Sequence, residues 1–125
     1  MNSPKKLVWG FTLAVFLAAN LQMARADSQP ETIKGYVLDS ACAFTKGLKK
    51  PISAECATAC AKAGSPLVIL ADSGTIYWPI SDATPAQGQN DRLLEFAAKR
   101  VVVTGKVYQR GGSRTVVIAT IQAEK

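Results

Sequence analysis

Val101-Val102-Val103-Thr104-Gly105-Lys106-Val107 reads as the middle of a long strand, 100–109. Val101, Val103 and Val107 share one face, and Val102, Thr104 and Lys106 share the other. That is the two-residue period of a half-buried strand. Gly105 interrupts the apolar row where a bend or bulge belongs. Arg110-Gly111-Gly112-Ser113 follows as a hairpin turn, and 114–122 returns as the last strand.

Upstream, Asn90 or Asp91 caps a helix that is expected to run to about Lys99, with Leu93, Phe96 and Ala97 on its apolar stripe. Residues 81–90 form a polar loop containing Pro85 and Gly88. Strands are read over 67–71 and 75–78, joined by the turn Asp72-Ser73-Gly74. Ser53 caps a thin, alanine-rich helix over 54–63. Glu55 lies in its first turn, and Gly64 and Pro66 end it. Residues 43–52 read as a loop punctuated by Gly47 and Pro51. The first strand is read over 33–38, with Gly35 as a second bend and Asp39-Ser40 as its end, after a loose start over 27–32. Five strands remain once the cysteine-bearing insertion, about 40–65, is set aside, and one helix lies between the third and fourth. This predicts a mainly β chain with two helices, folded as a five-stranded OB-like barrel. The alternative is an open α+β sheet with helices on one face.

Met1 to Ala26 has the pattern of a secretory signal peptide. Lys5 and Lys6 precede an apolar run from Leu7 to Ala19, and Ala24-Arg25-Ala26 supplies small residues before a cleavage after Ala26. The run is shorter than the roughly 20 residues of a membrane span. A periplasmic or secreted single domain over 27–125 is expected, with no membrane anchor after cleavage. The full chain carries 15 Lys and Arg against 9 Asp and Glu, a net charge of +6. Lys5, Lys6 and Arg25 lie in the leader and no acidic residue does, so half of that excess leaves with it. No nucleic-acid partner is expected from so small and scattered a positive charge. The chain has no histidine, and its two methionines, Met1 and Met23, fall in the leader. Catalysis by Ser/His/Asp or Cys/His pairs and haem ligation by His or Met are therefore excluded within the expected mature chain. The carboxylates form no recognisable catalytic pair, and no enzyme is expected.

Chemistry concentrates in Cys42, Cys56 and Cys60, all the cysteines of the chain. Cys56 and Cys60 are four apart on the expected helix, with Cβ atoms about 6 Å apart. A disulfide wants about 3.8 Å, so a bridge from Cys42 to Cys56 or Cys60 is the easier one. It would close a loop of about 14–18 residues and contribute roughly 3 kcal/mol. The first reading is thus an exported binding or structural module held by a disulfide. The odd third thiol is then free, or it pairs with a partner chain. The second reading is a metal site for Zn²⁺ or Cu(I) in Cys42, Cys56 and Cys60, with Asp39 as an oxygen ligand or outer partner. Asp39 also suits a simple turn-former. Thiol–disulfide exchange is the third reading, because Cys56 lies in the first helical turn, where the helix dipole favours a thiolate. Tyr36, Tyr77, Trp78 and Tyr108 are candidates for an aromatic binding face, though core and rim packing explains them as well.

Gly35-x-Val37-x-Asp39-x-x-Cys42, then Cys56-x-x-x-Cys60-x-x-x-Gly64, then Val101-x-Val103-Thr104-Gly105-Lys106-Val107 resembles a family of small secreted bacterial proteins of unassigned function. The resemblance implies an OB-like barrel. Members of that family commonly carry a histidine three residues before the middle cysteine, where this chain has Ser53.

Overall fold

Alternating β-branched residues carry the chain through five strands: β1 (Gln29–Asp39), β2 (Leu67–Ala71), β3 (Ile76–Pro79), β4 (Arg100–Arg110) and β5 (Ser113–Ala123). The structure is a computed structural model and describes residues 28–51 and 53–125. The expected signal peptide lies outside the described residues. The strands close into a barrel in the order β1-β2-β3-β5-β4, with β4 returning to β1. All neighbours are antiparallel except β3 and β5. This is the expected OB-like barrel, and closure rules out the open sheet. Among the described residues no helix is long and apolar enough to cross a membrane.

Closure depends on β1 serving two neighbours. Its first part pairs with β4 and its last part with β2, and Gly35 and Tyr36 pair with both. At Gly35 the strands cross so closely that a Cβ would collide with the Leu70 carbonyl. Gly105 plays the same part on β4, where the register with β5 shifts and a Cβ would strike the Val117 carbonyl. Both glycines thus mark the bends expected of them.

The barrel interior is filled by Ile33, Val37, Ile69, Tyr77, Val101, Val103 and Val116, and Leu93, from the segment between β3 and β4, is fully buried in the same cluster. A second cluster, Leu38, Ala43, Val68 and Leu70, sits on the outer face of β1 and β2. Leu67 to Leu70 are all buried, because this strand is covered on both sides. The outer cover is the cysteine insertion, which contains α1 (Ser40–Thr45) and α2 (Ala54–Lys62).

Three expectations need correction. Residues 27–32 were expected to be loose, but Gln29 to Thr32 belong to β1, because β4 is long enough to pair with them. Residues 43–52 were expected to be a loop, but Ser40–Thr45 is helical, because the Asp39 side chain caps the turn by accepting from the Cys42 amide at 3.1 Å. The helix expected from Asn90 to Lys99 is only α3 (Asn90–Leu93) followed by a 3₁₀ turn, Leu94–Phe96. It stops because the next backbone groups pair with β1. The Ala98 amide donates to the Val37 carbonyl at 2.8 Å, and the Val37 amide donates to the Lys99 carbonyl at 3.1 Å. Ala98 takes a positive φ of 63° in this exit. The expected cap is absent as well: the Asn90 side chain is used elsewhere, as described below.

Candidate metal centre

Two short helices deliver the three cysteines to one point above the end of β1. Cys42 lies in α1, directly after the strand. Cys56 and Cys60 lie one turn apart on α2. Ser53 caps α2 as expected, its hydroxyl accepting from the Cys56 amide at 3.1 Å. Glu55 sits in the first turn, and Gly64 follows the helix with φ +102°. Ala57 and Ala61 face inward, so the helix lies low against the barrel. The Sγ atoms of Cys42, Cys56 and Cys60 all lie within 4.8 Å of one another. All three are free thiols, so the disulfide expected between Cys42 and Cys56 or Cys60 is not formed in this structure.

Asp39 anchors this arrangement from below. It is 2% exposed, and its Oδ2 accepts from the Cys42 amide and from the Ser65 hydroxyl at 3.3 Å. Ser65 lies just beyond α2, so one carboxylate ties the two helices to the strand end. Asp39 does not join the group of three close ligand atoms. Its position is that of an outer partner that orients Cys42.

The carboxylate also sets the electrostatics. The Cys42 thiol bonds to Asp39, and this, helped by burial, pushes its pKa up to about 11. Burial raises the Cys60 thiol too, with the Asp39 charge adding to it. Lys46 opposes the effect at Cys42. In the metal-free site these two thiols are protonated at neutral pH, which makes them poor nucleophiles for exchange.

Beside the sulfurs is a recess of about 10 Å³, lined by Leu38, Asp39, Cys42, Leu48, Pro51, Ser53, Cys56 and Ala57. It has room for a single small occupant, of the order of one water molecule. Zn–S bonds of about 2.3 Å place thiolates about 3.8–4.0 Å apart around an ion. The three sulfurs are within reach of that spacing.

No family model, no characterised protein and no solved structure matches this chain. The thiols themselves therefore have to indicate the chemistry, and their convergence suits a soft or borderline cation.

Two residues that position the site carry no recognisable signal in the sequence. Ser65 is an ordinary loop serine until the fold brings it to Asp39. Asn90 clasps the far end of α2: its Oδ1 accepts from the Leu67 amide at 2.8 Å, and its Nδ2 donates to the Ala61 and Ser65 carbonyls. Tyr77 drops out of the expected aromatic face, while Trp78 and Tyr108 both register opposite Thr115 on the barrel exterior. Tyr77 is part of the barrel core, Tyr36 lies under Arg100, and Trp78 stacks on Phe44 with centroids 5.9 Å apart.

Proposed function

We propose that this chain is a small metal-binding module, exported from the cytoplasm, that holds one soft or borderline ion, Zn²⁺ or Cu(I), between Cys42, Cys56 and Cys60. One observation carries the reading: three sulfurs from two separate helices meet within 4.8 Å, with an atom-sized recess beside them. The apolar run and small-residue cleavage pattern of 1–26 support export. A binding role suits a chain whose expected mature part has no histidine and no grouped carboxylates.

A disulfide from Cys42 to Cys56 or Cys60, with the third thiol left over, is the second reading. The same closeness of the sulfurs favours it in an oxidising compartment. Purification without reductant or chelator, followed by elemental analysis, native mass and thiol counting after denaturation, separates the two. A stoichiometric ion with three titratable thiols is the expected result. One thiol, no ion and a mass lower by two hydrogens would replace the metal centre with the disulfide. A mass doubled until reduction would show a bridge between chains.

A further inference from the structure

We infer that the outer face beside the cysteine centre is a docking surface for an acidic segment of a partner protein, which seats an apolar side chain in a groove there and meets lysines at its rim. The inference goes beyond the metal reading and does not depend on it. It needs the fold of residues 40–51 and of β2 and β3, not an ion.

Charge picks out the region. Residues 40–65 carry four lysines, Lys46, Lys49, Lys50 and Lys62, and one acidic residue, Glu55. The remaining residues from Asp27 onward carry eight basic and eight acidic side chains. The whole net charge of the expected mature chain therefore belongs to the cysteine insertion. Lys46, Lys49 and Lys50 are exposed, and among the described residues none of them is in an ion pair. Unpaired charge of one sign steers a partner of the opposite sign to such a surface.

Apolar surface coincides with the charge. Phe44, two residues before Lys46, is 60% exposed, yet its ring is braced by stacking on Trp78. A side chain held ready in this way loses little freedom on binding. Beside it lies an open groove of about 520 Å³, lined by Tyr36, Ala43, Leu48, Leu70 and Ile76 with Lys49 among them. That is room for a bulky apolar side chain and its adjoining backbone. Trp78 and the groove residues Tyr36, Leu48 and Ile76 pack on one outer cluster, so stack and groove belong to one face. Asp72 is the acidic residue in the groove, and Arg100 already holds its carboxylate.

A protein fits this face better than an anionic membrane does. Helices that lie in a lipid surface present a long apolar side, whereas α1 has six residues. Basic clusters that read anionic lipids hold about four to eight charges, and the segment beside Phe44 holds Lys46, Lys49 and Lys50. A concave apolar floor also suits a protruding side chain more than the plane of a bilayer.

The test titrates the chain, its leader removed by natural processing, with a synthetic peptide of one leucine flanked on each side by four glutamates. Amide resonances and the fluorescence of Trp78 are followed; Trp9, the other tryptophan of the chain, lies in the leader. Matched probes carry lysines for the glutamates or alanine for the leucine, and phosphatidylglycerol vesicles are titrated separately. We expect shifts confined to residues 43–50 and 70–78, weakened by salt and absent with the lysine peptide. Affinity should fall at least about tenfold in the triple variant Lys46→Glu, Lys49→Glu, Lys50→Glu. It should also fall with the alanine peptide. Circular dichroism should report the barrel unchanged in the variant, since all three side chains are exposed. No response to the glutamate peptide, shifts elsewhere on the barrel, or binding that survives charge reversal would overturn the inference. Vesicle binding without a peptide response would overturn it too and give the face to lipid headgroups. The ion content of the sample does not enter the readout, so the metal centre can fail without touching this surface, and the reverse.

Discussion

A single buried carboxylate holds the cysteine centre in shape. Asp39 caps α1 and accepts from Ser65, so Asp39→Ala should cost about 1–2 kcal/mol in urea unfolding, the usual value of a lost helix cap. Asp39→Asn keeps an acceptor for the cap but removes the charge. In the metal-free protein it should move the Cys42 titration down from about 11 towards the ordinary thiol range, followed by thiolate absorbance. No shift would mean that burial, not Asp39, holds that thiol up. Asn90 is the other residue to test. Asn90→Ala removes three hydrogen bonds that join the end of α2 to β2 and β2's approach, at a cost of about 2–3 kcal/mol. The helix that carries Cys56 and Cys60 and its cap at Ser53 were legible in the sequence, because local spacing and capping rules apply to them. Asn90 was read as a helix cap for the same reason. The fold overrode that rule by offering its side chain three better partners.

Among the elements, the bends of β1 and β4 are the most demanding. Gly35→Ala would drive a methyl group into the Leu70 carbonyl, and Gly105→Ala into that of Val117. Each should destabilise by at least about 1–3 kcal/mol, the range for overpacked sites, measured by thermal or urea unfolding. A neutral Gly35→Ala would mean that the β1–β2 crossing is looser than the structure shows. These glycines were visible in the sequence because each breaks an otherwise alternating strand. The helix at 54–63 was legible from its cap, its alanines and Gly64. Helix α1 was not, because a six-residue helix has too few residues to show a period. It forms because Asp39 caps it and Ala43 packs beneath it on the outer cluster. The 3₁₀ turn after α3 was hidden for another reason. Its helical stripe is genuine, but β1 competes for the backbone of Ala98 and Lys99.

For the whole molecule, Arg100 binds three distant parts together. Its guanidinium meets Asp72 in the β2–β3 turn at 2.8 Å and Glu124 after β5 at 2.6 Å, and it lies over the Tyr36 ring. The guanidinium holds the carboxyls of Asp72 and Glu124 below their usual range. Groups with depressed folded pKa values stabilise above the unfolded value and lose that contribution as pH falls through the folded one. The melting temperature should therefore decline as pH drops below about 4.5, and the decline should be shallower in Arg100→Gln. Equal acid slopes in the two proteins would show that the network is too exposed to matter. Removal of the proposed ion should act on a different region. Chelation should raise amide hydrogen exchange across 40–65 and leave 101–107 protected, since the barrel core needs no sulfur. Uniform loosening would instead make the centre a keystone of the barrel.

The sequence by itself determined the strands, their two bends, the capped cysteine helix and the residue types available for chemistry. Each of these depends on neighbours a few positions apart, through side-chain alternation, capping or glycine freedom. Only the tertiary structure decided that β1 joins both β2 and β4 to close the barrel, and that Cys42 meets Cys56 and Cys60 within 4.8 Å as free thiols. It also decided that Asp39 orients the centre without joining its close ligand atoms. These are contacts between segments far apart in the chain. They are fixed by which buried faces and hydrogen-bonding groups find partners once the barrel closes, and local spacing carries no record of that.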